Sequence, residues 1–211
     1  MPKSYLETFG TTNLHYHMVS ELMDTVDQIR IREGAIQSRK PQLITPNYYS
    51  NEMLEGFGNE ANQYVDWLKN NAKDMRILQY GFNIQKTESS EQIVSGNVKE
   101  IIERVKKQIS SKNDPMAAVI YGVDKPWDVC LLKFMVDVIR NSAPHNINEL
   151  GRHNLLEDVN GTPRAVREEI EHDFLVASRN KAMISQLGNK LRKCGLFEEY
   201  EDRFFALYRK N

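Results

Sequence analysis

Five histidines, two cysteines and a basic run in the last quarter are the residues of this chain whose types and spacing could do chemistry. His15 and His17 flank Tyr16. Two imidazoles one residue apart share a face on a strand, and there they could ligate a metal ion. On a helix they diverge by about 200°. Around them Leu14, Met18, Leu22, Val26 and Ile29 recur every three or four positions, the stripe of a helix. The periodicity therefore predicts His15 and His17 as surface or capping residues and only weak metal candidates.

His145, His153 and His172 could converge with Asp158 or Asp173 in a metal-dependent hydrolase. His145, however, sits in a turn-like Pro144-His145-Asn146 stretch, a common setting for a surface imidazole bonded to backbone or water. No cofactor is expected. A cysteine nucleophile needs its pKa lowered by a cation or a helix N-terminus. Cys130 lies inside the most apolar segment, and Cys194 follows Arg192 and Lys193 where a helix should end, so both are expected to be inert.

Nucleic-acid contact has a clearer candidate. Between Gly161 and Lys193 two predicted helices carry Arg164, Arg167, Arg179, Lys181, Lys190, Arg192 and Lys193, and such a pair could offer one helix to a major groove. Glu168, Glu169, Glu171 and Asp173 offset them: seven cations less four anions leaves +3. The whole chain balances 28 basic against 29 acidic residues, so no bulk field draws it to nucleic acid or to anionic lipid. Aromatic side chains dominate interfaces and cores alike. Phe204 and Phe205, adjacent on one helix, cannot both face the same core, which makes Phe204, Phe205 and Tyr208 interface candidates.

The elements that must position these residues read as mostly helical. A helix is predicted over 12–38. A second signal at Thr45-Pro46 opens a helix or helix pair toward Lys73, with Tyr48, Tyr49, Leu54, Phe57, Tyr64, Trp67 and Leu68 on its inner face. Alternation from Met75 to Ile84 predicts a strand, with Gln92-Ile93-Val94 as a short partner in a hairpin. A helix follows from Asn97. Ala117 to Tyr121 suits a buried strand or a helix, and is read here as helix. Trp127 to Ile139 is apolar on nearly all sides, which predicts a central helix that its neighbours wrap. Residues 141–161 read as a connector, and three helices complete the chain.

The expected fold is thus mainly α with a small β-hairpin (α+β), a multi-helix core around a central apolar helix near 126–140. Residues 1–160 would form the core domain, and 161–211 a three-helix segment packed on the same core. With no secretion signal, no membrane span and no disulfide framework in view, the expectation is a cytoplasmic, non-enzymatic interaction or regulatory module. It would associate with itself or with a protein partner. A DNA- or RNA-binding regulator using 161–193 is the alternative, and a histidine-dependent metal hydrolase the next.

Overall fold

The computed structural model describes residues 1–44 and 77–209. They form two compact units, Met1–Pro41 with Tyr80–Glu149, and Gln42–Gln79 with Leu150–Asn211. The helix predicted from Thr45-Pro46 to Lys73 lies outside the described residues.

The first unit is built on a four-stranded mixed sheet, and this overturns the mainly helical expectation. β1 (Thr12–Glu21) and β2 (Gln28–Ser38) form an antiparallel hairpin where a helix over 12–38 was predicted. Its turn closes with Leu22 N–H donating to the Gln28 carbonyl and Asp27 in the left-handed region at φ 57°. β5 (Phe82–Ser95) pairs antiparallel with β2. From β5, helix α1 (Val98–Lys112) crosses to β6 (Ala117–Val123), which lies parallel beside β1. A parallel neighbour requires such a crossover. The strand order is β5-β2-β1-β6, and Ala117–Tyr121, read as helix from its composition, is strand because α1 has already ended at Asn113, a left-handed C-cap with φ 51°.

Helices cover both faces of this sheet. On one face Val19, Ile29 and Ile31 pack with Ile101 and Val105 of α1. On the other, Leu14, Tyr16, Met18 and Ile36 pack with Leu131, Phe134 and Val138 of α2 (Trp127–Arg152). Both strands alternate polar and apolar residues, Asn13 to Met18 on β1 and Gln28 to Arg32 on β2. Leu14 and Met18, four apart, then satisfy the period of a strand and of a helix equally. Val26, which continued the apparent stripe, is exposed in the turn.

Gly34 holds β1 and β2 in close register. It is paired with Tyr16 across the hairpin, and a Cβ there would lie 2.5 Å from the tyrosine hydroxyl oxygen. α2 is the apolar helix anticipated near 126–140, but it is longer, running through Pro144 to Arg152 across most of the predicted connector. It is also not wrapped on all sides. Leu131, Phe134 and Val138 are buried, while Val129, Leu132 and Val136 are exposed.

The second unit carries the described strands β3 (Gln42–Ile44) and β4 (Ile77–Gln79), which pair antiparallel. A two-residue ladder, β7 (Asp158–Val159) with β8 (Thr162–Pro163), precedes the helices α3 (Arg164–Arg179), α4 (Ala182–Cys194) and α5 (Phe197–Arg209). The strand predicted across 75–84 is therefore divided between β4 here and the start of β5 in the first unit. The three helices match the sequence reading. Val166, Ile170, Phe174, Ile184, Leu187, Leu191 and Phe204 meet in one core with Leu43 of β3, and Gly195 ends α4 in the left-handed conformation at φ 70°.

Candidate functional site

Two polar constellations lie in the first unit, one against each face of the sheet. Because His15 and His17 stand on β1, not on a helix, both project to the same face. Opposite His17 on β2 is Glu33, and beyond the C-terminus of α1 lies Asp114, in the turn leading into β6. His15 Nδ1 lies 2.6 Å from Asp114 Oδ2, and His17 Nδ1 lies 2.9 Å from Glu33 Oε1. A carboxylate accepts from Nδ1–H, so each ring is held in the tautomer that leaves Nε2 for exchange with a substrate. The His17 side chain is largely buried and that of His15 is open to solvent.

A cleft of about 300 Å³ is lined by His15, His17, Glu33, Lys112 and Asp114, floored by Gly34 and Ala35. α1 covers the Val19 and Ile31 end of this sheet face. It ends at Lys112, and the uncovered remainder of the face is where the histidines stand. Burial works against ionisation of Asp114, but the Met116 N–H, the His15 bond and the charges of His15 and His17 outweigh it and hold the carboxyl below its usual range. One carboxylate thus senses both imidazoles.

On the opposite face the charges are locked into one another. Asp124, at the end of β6, accepts from Arg30 Nη1 on both oxygens, at 2.9 and 2.8 Å, and from the Ser20 hydroxyl at 3.3 Å. Arg32 Nη1 lies 3.0 Å from Asp124 Oδ1, and Glu91 of β5 lies against both guanidinium groups. Arg30 Nε and Arg32 Nη1 are buried without a hydrogen bond of acceptable geometry, so those contacts are coulombic. Arg32 also lies 5.2 Å from the centre of the Trp127 ring. Burial again raises the pKa of Asp124, but Arg32 and Arg30 bring it below its ordinary value. Two cations against two anions make a neutral brace joining β1, β2, β5 and β6 at the start of α2.

The basic residues anticipated for nucleic acid occupy varied settings in the second unit. Arg164 pairs with Glu157 at 2.9 Å, and Arg167 grips Glu199 through two bonds of 2.5 and 3.0 Å. Lys190 reaches Glu169 and Asp173 at 3.1 and 2.7 Å, and these carboxylates raise its pKa against the effect of burial. Arg192 lies 4.8 Å from the centre of the Phe197 ring. Lys193 lines a groove with Lys190 and Asp173, and Arg179 and Lys181 are exposed around the turn from α3 to α4.

Phe204 is buried and Phe205 and Tyr208 are exposed. Cys194 lies in the core of the second unit, where burial pushes its thiol up to about 11. His145 stacks on Tyr5 and lies 3.5 Å from Glu149, and His172 is exposed on α3. Among the described residues no three His, Cys, Asp or Glu side chains are placed to hold a metal ion. No helix of the described residues is long and apolar enough to cross a membrane. Comparison with known protein families, with curated proteins and with solved structures finds no match for this chain.

Sequence reasoning missed the pairing of the two histidines with carboxylates and the brace around Asp124. A usable signal was present for the first: the register of a hairpin over 12–38 sets His17 opposite Glu33, but only once the segment is recognised as strand. The brace had no local signal, because Ser20, Arg30, Glu91 and Asp124 come from four different stretches of chain.

Proposed function

We propose that this protein is an interaction module that associates with a second copy of itself through the outer face of α2, in the cytoplasm. The observation that carries this reading is the exposed stripe Val129, Leu132 and Val136, at 56, 57 and 45% exposure. The spacing of three and four is that of a helix seam, and half-buried Ile139 and Ala143 continue it at three and four. A contiguous apolar strip on a helix whose opposite side is already in the core is the kind of surface that marks an association site. Lys133 and Asp137, paired at 2.6 Å, border it with charge.

A stripe of this kind is self-complementary. Two copies related by a two-fold axis can lay their α2 helices against each other, each placing the same residues at the seam. Exposed Phe205 and Tyr208 on α5 offer a smaller surface of the same character. A nucleic-acid role through Gly161–Lys193 ranks behind this, because Arg164, Arg167 and Lys190 are engaged by carboxylates of their own unit.

Light scattering coupled to size exclusion tests the reading. The wild-type chain is expected at twice its 24.5 kDa mass, unchanged by salt. Leu132→Glu with Val136→Glu is expected to run as a folded monomer, since charge at an apolar seam is left without solvent or partner on association. A wild-type monomer at tens of micromolar, or a double variant that stays dimeric, would refute it.

A further inference from the structure

The cleft between α1 and the uncovered end of the sheet is not used by self-association through α2, and its groups suit proton transfer in two directions at once. We infer that it cleaves single-stranded RNA by internal transesterification, with His15 and His17 as the acid–base pair and no other co-reactant. The inference rests on four observations: two imidazoles on one face of β1, each anchored at Nδ1 by a carboxylate, Asp114 at 2.6 Å and Glu33 at 2.9 Å; the cleft of about 300 Å³ that they line; Lys112 on its wall; and an open approach from the His15 side.

Residues two apart on a strand are separated by roughly 6.5 Å along it. At that spacing a phosphodiester can lie between the rings, with the 2′-hydroxyl donating to one Nε2 and the other Nε2–H donating to the 5′-oxygen. In the reaction the neutral imidazole takes the proton of the ribose 2′-hydroxyl. The 2′-oxygen bonds to phosphorus, the bond from phosphorus to the 5′-oxygen breaks, and the protonated imidazole gives its proton to that leaving oxygen. The products are a 2′,3′-cyclic phosphate and a free 5′-hydroxyl, and the two protons balance. The nucleophile belongs to the substrate, which is why two proton-transfer groups suffice. Lys112 is placed to offset charge on the non-bridging oxygens.

The anchoring carboxylates assign different parts. His17, largely buried and facing Glu33, is the better-fixed ring, whereas His15 stands at the mouth with Asp114. Among the described residues, the charged groups lining the cleft with the two imidazoles are Glu33 from β2, Asp114 from the turn before β6, and Lys112 from the end of α1. One neutral and one protonated imidazole are needed together, so the rate should fall toward both acid and alkaline pH.

The test uses the full chain with a fluorescently labelled RNA oligonucleotide, its DNA counterpart, and a chelator in all reactions. Expected are cleavage of RNA with cyclic phosphate ends, no cleavage of DNA, a bell-shaped pH profile, and a rate loss on the order of 100-fold or more for His15→Ala and for His17→Gln. His15 is exposed, so His15→Ala should keep the fold, and circular dichroism of each variant checks it. Lys112→Ala should lower the rate with the shape of the pH profile retained. RNA left intact by the wild-type protein, equal cleavage of DNA, or activity in both histidine variants within threefold of wild type would overturn the inference.

Discussion

Asp124→Ala is expected to destabilise the first unit by roughly 3 kcal/mol, the lower end of what breaking a buried ion pair costs. The carboxylate takes two bonds from Arg30, an ion contact from Arg32 and a bond from Ser20. Its removal leaves two mostly buried guanidinium groups sharing Glu91, which is half exposed. The expected loss is placed low in the range because that half-exposed partner stays against both guanidinium groups. Hydrogen exchange followed by mass spectrometry should show faster exchange in β1, β2 and β6, with the amides of α3, α4 and α5 unchanged. Exchange in β1 and β2 at wild-type rates would show that the brace contributes little. The same group gives a pH prediction. Its folded pKa lies below its ordinary value, so its contribution is fully present above the unfolded carboxylate range of about 4 and is lost as pH falls through the folded value. Asp124→Ala should therefore flatten the acid limb of the stability curve, measured by urea midpoints between pH 3 and pH 7.

How far the sequence disclosed this architecture depended on how many faces of each element are buried. α3, α4 and α5 each bury one face, and Val166, Ile170 and Phe174 on α3 were legible as a stripe because nothing competes with a period of 3.6 there. The β1–β2 hairpin does alternate, from Asn13 to Met18 and from Gln28 to Arg32, but residues four apart share a face on a strand as they do on a helix. Leu14 and Met18, four apart, fit either period, and the stripe continued through Leu22, Val26 and Ile29 only because the turn between the strands is apolar at those spacings. α2 shows the converse. Its all-round apolarity was legible, and the inference of all-round burial from it was not justified, because Val129, Leu132 and Val136 face outward.

The candidate site depended on that single misreading. As helix residues His15 and His17 point apart, and as strand residues they share a face with Glu33 opposite and Asp114 at the edge. Residue types alone flagged the pair, while secondary structure decided whether the flag meant anything. Asp114 had no such signal. It comes to His15 from 99 positions away, and only the parallel pairing of His15 with Ala117 brings the turn before β6 alongside β1.

Phe204→Ala is the substitution with the largest expected effect in the second unit, costing about 3–5 kcal/mol. Phe204 is 5% exposed and lies in the core made by α3, α4 and α5. Gly188 of α4 makes room for it: a Cβ at that position would fall 2.8 Å from the ring's Cζ. The surface of α4 has thus been hollowed to receive this ring, and truncation leaves a cavity that the glycine backbone cannot fill by moving a side chain. Phe197 packs edge-on against the same ring at 5.3 Å between centres, and that contact is lost as well. Phe205, the adjacent aromatic, is 44% exposed, and Phe205→Ala is expected to change stability by less than about 1 kcal/mol. Urea unfolding followed by far-ultraviolet circular dichroism, with hydrogen exchange in α3 and α4 to assign the transition, separates the two. A core role for Phe204 requires a large shift for Phe204→Ala and a small one for Phe205→Ala. Equal shifts would mean that α5 is held by its exposed aromatic edge, and that Gly188 is not shaped for this ring.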